Sequence, residues 1–139
     1  MKEETMKDNE KLISKAKEAA PKAYAPYSNF HVGAAVLSDD GAIYTGANVE
    51  NRSYGLTICA ERNAIAHAVA MGMKAIQAVA IYSPDSEDPL PPCGACRQVI
   101  TEFAASDAVV ICCGKDGKAV EIPVKELYPM DSLHNLKKN

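Results

Sequence analysis

Apolar residues recur along this chain at spacings that predict helices interleaved with strands. Leu12 and Ala16 lie near helical spacing and predict a first helix over residues 9–20, which ends before Pro21. Short apolar or alternating runs predict strands, and Asp39-Asp40-Gly41 predicts the turn of a hairpin between the first two. The remaining predicted elements are strands over 31–37, 42–49, 75–83, 108–113 and 119–122, and helices over 59–71, 94–105 and 124–127.

The predicted order of elements is α-β-β-α-β-α-β-β-α. Because helices interleave with strands, we predict an α/β fold with three layers, in which one mixed sheet of about five strands lies between helices. The helix over 59–71 is apolar nearly all round, which predicts burial on more than one side, including against another subunit. No repeat or composition break divides residues 1–139, so we predict one domain, with residues 1–8 as a frayed tail.

Composition and charge limit the classes of function. The 139 residues are 47% hydrophobic and 24% charged, as in ordinary folded proteins, and the formal net charge is −3. Because nucleic-acid-binding proteins carry basic surfaces, we expect a small substrate and no nucleic-acid partner. No apolar run approaches the roughly 18 residues of a membrane span, and no signal-peptide pattern is present, so we expect no membrane partner and a cytoplasmic location. The five cysteines are then expected to be metal ligands or buried thiols.

Three cysteines in two short motifs form the most informative pattern. Cys59-Ala60-Glu61 opens one predicted helix, and Cys93-Gly94-Ala95-Cys96 opens another. A helix N-terminus favours the thiolate form of cysteine, which is the form that binds zinc. Three protein ligands leave one position of a tetrahedral Zn²⁺ open, as a catalytic site requires for water. Glu61 follows Cys59 by about half a helical turn, so its carboxylate is a candidate to move the protons of that water.

The charge of such a site needs an additional positive group. Three thiolates around one Zn²⁺ leave a net negative charge, which weakens the metal as a Lewis acid. Arg62 and Arg97 follow Glu61 and Cys96 directly, and either is a candidate to donate a hydrogen bond to a thiolate sulfur from outside the ligand set. Arg62 is the preferred candidate of the two.

Two other interpretations of the cysteines remain open at this point. A Cys-x-x-Cys pair in the cytosol is often half of a structural zinc site or a redox dithiol. A structural site needs a fourth ligand, and Cys112 or Cys113 could be nominated, although both lie in an apolar run and resemble buried small hydrophobic residues. Neither alternative uses Glu61, so the pattern favours catalytic zinc over a non-catalytic zinc protein or a redox protein.

Residues around the two motifs resemble one family closely. The segments that carry the resemblance are 25–35, 48–51, 53–62 and 92–98. They are similar to those of the cytidine deaminases, in the homotetrameric zinc-dependent class, and the similarity extends over roughly residues 9–128. The cysteines with Glu61 mark the wider superfamily of zinc-dependent nucleobase deaminases. The run Asn48-Val49-Glu50-Asn51 is more specific to the family.

The resemblance implies an activity and an assembly. It makes Cys59, Cys93 and Cys96 the ligands of one Zn²⁺ per subunit, and Glu61 the catalytic proton shuttle. The implied reaction is hydrolytic deamination of cytidine and deoxycytidine to uridine and deoxyuridine with release of ammonia, in pyrimidine salvage. The implied assembly is a homotetramer with active sites shared between subunits. A deaminase of another free cytosine derivative, such as an aminoacyl nucleoside antibiotic, is the second enzymatic hypothesis.

The resemblance also implies contacts to the substrate. Asn48 and Glu50 are expected to bind the ribose hydroxyls, and Phe30 to line the pocket against the base. The Ala60 N–H is expected to meet the pyrimidine carbonyl oxygen. Tyr54 is expected to reach the active site of a neighbouring subunit.

The C-terminal segment departs from the family pattern. The family often carries an aromatic residue there that packs on the base of the substrate, but residues 127–133 contain no Phe at that place. Either Met130 or Leu133 takes its part, or stacking on the base is weaker. No C-terminal residue is therefore assigned to the substrate.

Overall fold

The computed structural model describes residues 2–137, with side chains from Asp8 onward. Its nine helices and strands follow the predicted order. The helices are α1 (Lys2–Ala19), α2 (Ala60–Ala70), α3 (Gly94–Phe103) and α4 (Val124–Leu127). The strands are β1 (Gly33–Ser38), β2 (Ile43–Ala47), β3 (Ile76–Tyr82), β4 (Ala104–Cys113) and β5 (Ala119–Pro123). Single 3₁₀ turns occur at Ala20–Lys22, Tyr54–Leu56 and His134–Leu136.

The five strands form one mixed sheet in the order β2-β1-β3-β4-β5. β3 and β4 pair in parallel, and the other neighbours pair antiparallel. A parallel pair needs a crossover connection, which α3 provides between β3 and β4. The mixed five-stranded sheet confirms the predicted fold class. The strand order could not be derived from the sequence.

Alternate residues of the central strands point to two separate cores. In β1, Ala34 and Val36 pack with α2 and α3, whereas Ala35 packs with α1 on the opposite face. β3 and β4 alternate in the same way. The sheet is therefore covered on both faces, with α1 on one and α2 and α3 on the other. Among residues 2–137, no helix has the length and apolar composition that crossing a membrane requires.

The start of α1 differs from its prediction. The apolar pattern placed the helix start at residue 9 and residues 1–8 in a frayed tail, but the backbone is helical from Lys2. Residues 2–8 lack the apolar spacing used for the prediction, yet they are rich in Lys and Glu and contain neither Gly nor Pro. Such residues favour a helix by propensity alone. Met1 lies outside the described residues.

Gly46 in β2 lets α2 lie directly on the sheet. A Cβ atom at this position would lie 2.4 Å from the backbone nitrogen of Ala64 and 2.8 Å from the carbonyl oxygen of Ala60. Both are backbone atoms of α2, so the clash could not be relieved by a change of rotamer. The contact fixes the position of the α2 N-terminus, where Cys59 and Glu61 lie.

Substitution of Gly46 by alanine tests this close approach. We expect Gly46→Ala to lower the free energy of unfolding by about 1–3 kcal/mol, because the added methyl group must push α2 off β2. Urea unfolding measures the change. Gly55→Ala is the matched control, since a Cβ there meets no atom within 4 Å. Equal stability of the two variants would contradict the close approach.

Candidate active site

Three chain segments leave the sheet at the same edge. Gly33 at the start of β1 pairs with Ala47 at the end of β2 and with Tyr82 at the end of β3. The segment before β1 and the segments after β2 and β3 therefore begin side by side. A bridge between Val49 and Ile58 then returns the chain to the start of α2. We call this side of the sheet the site edge.

Three thiols from two helices meet near the site edge. Cys59 is the N-cap of α2, Cys93 is the N-cap of α3, and Cys96 lies in the first turn of α3. Their sulfur atoms lie within 4.8 Å of one another, and the Cys59 and Cys93 sulfurs are 3.8 Å apart. Neither N-cap thiol makes a capping bond to the backbone of its own helix. The two helix N-termini thus direct their positive ends at one cluster of sulfurs.

The geometry of the cluster fits a zinc ion. A tetrahedral site with Zn–S bonds of about 2.3 Å places two sulfurs about 3.8 Å apart, which is the separation observed for Cys59 and Cys93. Thiolate is also a preferred ligand of zinc. Cys112 and Cys113 are buried in the two cores and lie outside this group, so they provide no fourth ligand. Three ligands leave one position open.

Arg62 makes the contact to the cluster that the sequence predicted. Its Nη2 donates a hydrogen bond to the Cys59 sulfur over 3.5 Å. The Cys96 thiol and Arg62 together lower the pKa of Cys59 to about 5, whereas the Cys59 thiolate raises the pKa of Cys96. The protein groups alone therefore favour the thiolate form at Cys59 and disfavour it at Cys96. A second thiolate needs a further positive charge, such as that of a bound metal ion.

Glu61 lies in the first turn of α2 with 5% of its surface exposed. Among the protein groups, burial raises the pKa of its carboxyl to about 7, and the negative charge of Cys59 acts in the same direction. The Cys96 thiol acts in the opposite direction and lowers this pKa through a hydrogen bond, so the carboxyl group lies beside the thiol cluster. A carboxyl group buried next to an open metal position is suited to receive and return a proton.

Asn48 follows β2 and holds the segment that precedes β1. Its Nδ2 donates to the Phe30 carbonyl over 2.9 Å, and its Oδ1 accepts from the Val32 N–H over 2.8 Å. Asn48 is buried and Phe30 is half-buried. The side chain of Asn48 therefore sets the backbone on both sides of His31 and with it the place of Phe30.

Glu50 holds the preceding turn of the same segment. Its Oε1 accepts from the backbone N–H groups of Tyr27 and Ser28 over 3.0 and 3.1 Å, and its Oε2 accepts from the Ser28 hydroxyl. The Ser28 hydroxyl in turn accepts from the Phe30 N–H over 3.0 Å. Asn48 and Glu50 are thus joined to the segment that carries Phe30, which the sequence alone did not indicate.

The remaining predicted site residues are placed as follows. Ala60 is fully buried at the first position of α2. Tyr54 is 73% exposed in a 3₁₀ turn, and its ring packs edge-on against Tyr27.

Arg97 differs from the expectation of a contact to sulfur, because it donates to two carbonyl oxygens, those of Pro92 and Leu127. The α3 geometry turns Arg97 towards the C-terminal segment, so that it fixes the residue before Cys93.

Two residues near the site were missed by the sequence analysis. Asn63 Nδ2 donates to the carbonyl of Ala47 over 2.8 Å and so ties α2 to the end of β2. Asp85 accepts two hydrogen bonds from His31. Their partners are distant in sequence, and isolated Asn and Asp residues in helices or loops give no signal of a specific contact.

Comparisons with known proteins show the family to which this chain belongs. The family described as the cytidine and deoxycytidylate deaminase zinc-binding region matches residues 6–113. This chain belongs to that family. It is 48% identical to the cytidine deaminase of Sporosarcina psychrophila, over 88% of this chain and 89% of the relative. It is also 48% identical to that of Halalkalibacterium halodurans, over 88% of this chain and 92% of the relative.

Solved structures of the cytidine deaminases share the fold. The crystal structure of cytidine deaminase from Burkholderia pseudomallei superposes with a TM-score of 0.82 at 43% identity, covering 86% of this chain and 95% of that chain. The residues matched by the family include all three thiols and Glu61. Zinc is the cofactor of this family's domain, and Cys59, Cys93 and Cys96 are suited to hold it.

The hydrogen bond from Arg62 leads to a prediction about zinc retention. We expect Arg62→Gln to weaken zinc binding by about 10–100-fold, because the Cys59 thiolate loses its positive partner. Competition with a chromophoric chelator measures the dissociation constant. Arg52→Gln removes an exposed arginine without a hydrogen bond among residues 8–137 and serves as the control. A dissociation constant unchanged in Arg62→Gln would show that this contact does not support the metal.

Proposed function

We propose that this chain is a cytidine deaminase, which converts cytidine and deoxycytidine to uridine and deoxyuridine with release of ammonia, in pyrimidine salvage. The observation that carries the proposal is the position of Glu61, buried beside three thiols that fit an open zinc site. A structural zinc site or a redox dithiol would have no use for this carboxyl group. A cytoplasmic location stays a prediction.

The mechanism requires an activated water and a group that moves protons. Zinc bound by the three thiolates supplies an open position at which a water becomes acidic enough to react near neutral pH. Glu61 takes a proton from the attacking water and passes it to ring N3, which makes C4 of the base more electrophilic. A C–O bond then forms at C4.

Loss of the amine completes the reaction. Glu61 delivers the second proton of the water to the departing amino group, and the C4–N bond breaks with its electron pair on nitrogen. Cytidine and water thus give uridine and ammonia, and Glu61 returns to its starting state. Its burial at the helix start keeps the carboxyl group within reach of both positions.

The hydrogen bonds of Glu50 and Asn48 limit how they bind ribose. A carboxylate offers about four acceptor positions, and the Glu50 carboxylate already accepts three hydrogen bonds from the segment around Ser28. One position remains for a ribose hydroxyl. Asn48 retains one N–H and one acceptor position, since each end of its amide makes one bond. Together, Asn48 can donate a hydrogen bond to a ribose hydroxyl and Glu50 can accept one from it.

Two further groups are suited to contact the pyrimidine base of the substrate. The N–H groups at the start of α2 have no partner within the helix, so the Ala60 N–H is available to the carbonyl oxygen of the pyrimidine. Phe30, held by Asn48, supplies an apolar wall. These contacts favour a nucleoside over the aminoacyl nucleoside alternative, because Asn48 and Glu50 address the sugar hydroxyls. Rates on cytidine, deoxycytidine and cytosine show whether the enzyme recognises the ribose.

The decisive experiment follows the absorbance of cytidine. We expect the zinc-loaded chain to consume cytidine, and a strong chelator to abolish this. Glu61→Gln should keep one zinc per chain and lose about 10²–10⁴-fold in kcat, because proton transfer fails. Glu126→Gln, an exposed glutamate in α4, should match the wild type. Chelator-insensitive chemistry, or full activity in Glu61→Gln, would overturn the mechanism.

A homotetramer with shared active sites is the assembly that we propose. Large apolar side chains are exposed near the site edge and on α2. They are Tyr27, Val49, Tyr54, Leu56, Ile58, Val69 and Met71. Apolar clusters of this kind mark surfaces that associate with other proteins. Tyr54, whose side chain is largely exposed, is the residue expected to enter the neighbouring site.

Mixed assemblies test the sharing of active sites. Light scattering should give about four times the chain mass of 14.8 kDa. Co-expression of the inactive variants Glu61→Gln and Tyr54→Ala should restore activity, because some sites combine the intact residue of each. A mixture of Glu61→Gln with Cys59→Ala should not, since both changes affect the same chain's half of the site. A monomer in solution would contradict the proposal.

A further inference from the structure

Residues 30–32, which we call the pocket segment, are contacted by Asp85 from the side opposite Asn48. Its Oδ2 accepts the backbone N–H of His31 over 2.8 Å and also lies 2.9 Å from the ring Nδ1 of His31. A carboxylate only accepts hydrogen bonds, so Nδ1 carries the hydrogen and donates it. One oxygen thus fixes both the backbone and the ring of the residue that follows Phe30.

The loop that carries Asp85 is itself held at the end of the sheet. The N–H of Asp85 donates to the hydroxyl of Ser83 over 3.1 Å, and Ser83 is fully buried directly after β3. The next residue, Ser86, accepts the N–H of Lys115 beyond β4. Asp85 is therefore held by the ends of two strands, although its own side chain is partly exposed.

Asn48 and Asp85 together hold the backbone just before β1, where regular strand pairing ends. Within β1, Gly33 lies between β2 and β3. Just before Gly33 the regular strand ends, and one backbone bond continues the pairing with β2, from the Asn48 N–H to the Val32 carbonyl over 3.3 Å. The other backbone groups of residues 30–32 need other partners. Asn48, which follows β2, bonds to Phe30 and Val32, and Asp85, which follows β3, bonds to His31. The segment is clamped from both sides by side chains.

The clamp also joins two parts of the site. The loop that contains Asp85 continues to Cys93, one of the three thiols of the cluster, whereas residues 30–32 include Phe30, the proposed wall of the pocket. A change at Asp85 should therefore alter the position of Phe30 relative to the thiols without removing any group that touches them.

We propose that Asp85 is a positioning residue for the substrate, which holds Phe30 in place through its two hydrogen bonds to His31. The proposal rests on the proposed function. Asp85 affects the binding of the base through Phe30, whereas Glu61 and the metal carry out the chemical step. Removal of the carboxylate frees the His31 backbone, so that Phe30 no longer has one fixed position and the bound base loses its wall.

The expected effect is on KM. Asp85→Ala should raise KM for cytidine by about tenfold, with kcat within about threefold of the wild type and one zinc per chain. Asp85→Asn keeps an oxygen that can accept both bonds and should stay within about threefold in KM. His31→Ala, which removes the ring contact but not the N–H, should lie between them. Asp88→Ala is the matched control, because its side chain makes no hydrogen bond among residues 8–137.

A double-mutant cycle identifies the route of the effect. If Asp85 acts through Phe30, Asp85→Ala should change KM by less than about twofold in a Phe30→Ala background. Hydrogen exchange of the zinc-loaded protein without substrate gives a readout that needs no activity. The His31 amide should exchange faster in Asp85→Ala than in Asp88→Ala and the wild type.

The outcomes separate this proposal from the proposed function. An unchanged KM in Asp85→Ala, an equal effect with and without Phe30, or unchanged exchange at His31 would overturn the role of Asp85. Loss of zinc or of kcat alone would also overturn it. A wild-type chain that does not consume cytidine would overturn the proposed function instead, while the exchange experiment would still show whether Asp85 holds the segment.

Discussion

The convergence of two helix N-termini on one cluster of sulfurs is the constraint on which the site depends. α2 and α3 start at Cys59 and Cys93, whose sulfurs lie 3.8 Å apart. This is possible because Gly46 lets α2 lie on β2, and because α3 connects the parallel strands β3 and β4. The packing of both helices on the same face of the sheet brings the three thiols together.

Charge at the cluster is balanced by few groups. Arg62 donates to Cys59, the helix N-termini add partial positive charge, and Glu61 is buried nearby. A bound metal ion stabilises the thiolate form of its cysteine ligands, so metal binding and deprotonation are coupled. Burial raises the pKa of Glu61 towards neutrality, which suits a group that both accepts and donates a proton.

The pocket segment, residues 30–32, is held mainly by side chains and not by strand pairing. Regular strand pairing ends before β1 with one bond from the Asn48 N–H to the Val32 carbonyl, and the backbone of residues 30–32 is also held by side chains that follow β2 and β3. Asn48 and Glu50 therefore have structural bonds as well as free positions for a ligand. The proposed binding of substrate at these two residues would add to a network that already exists, which would reduce the ordering that binding has to impose.

The sequence by itself determined the order of helices and strands, the three-layered α/β class and the cysteines with Glu61, because hydrophobic periodicity and ligand spacing are local properties. It missed the helical backbone of residues 2–8, where propensity acts without apolar spacing. Only the tertiary structure decided the strand order, the contact of Arg97 with Pro92 and Leu127 instead of sulfur, and the clamp by Asp85. Each of these depends on which distant segments become neighbours, and long-range packing, not local pattern, sets that.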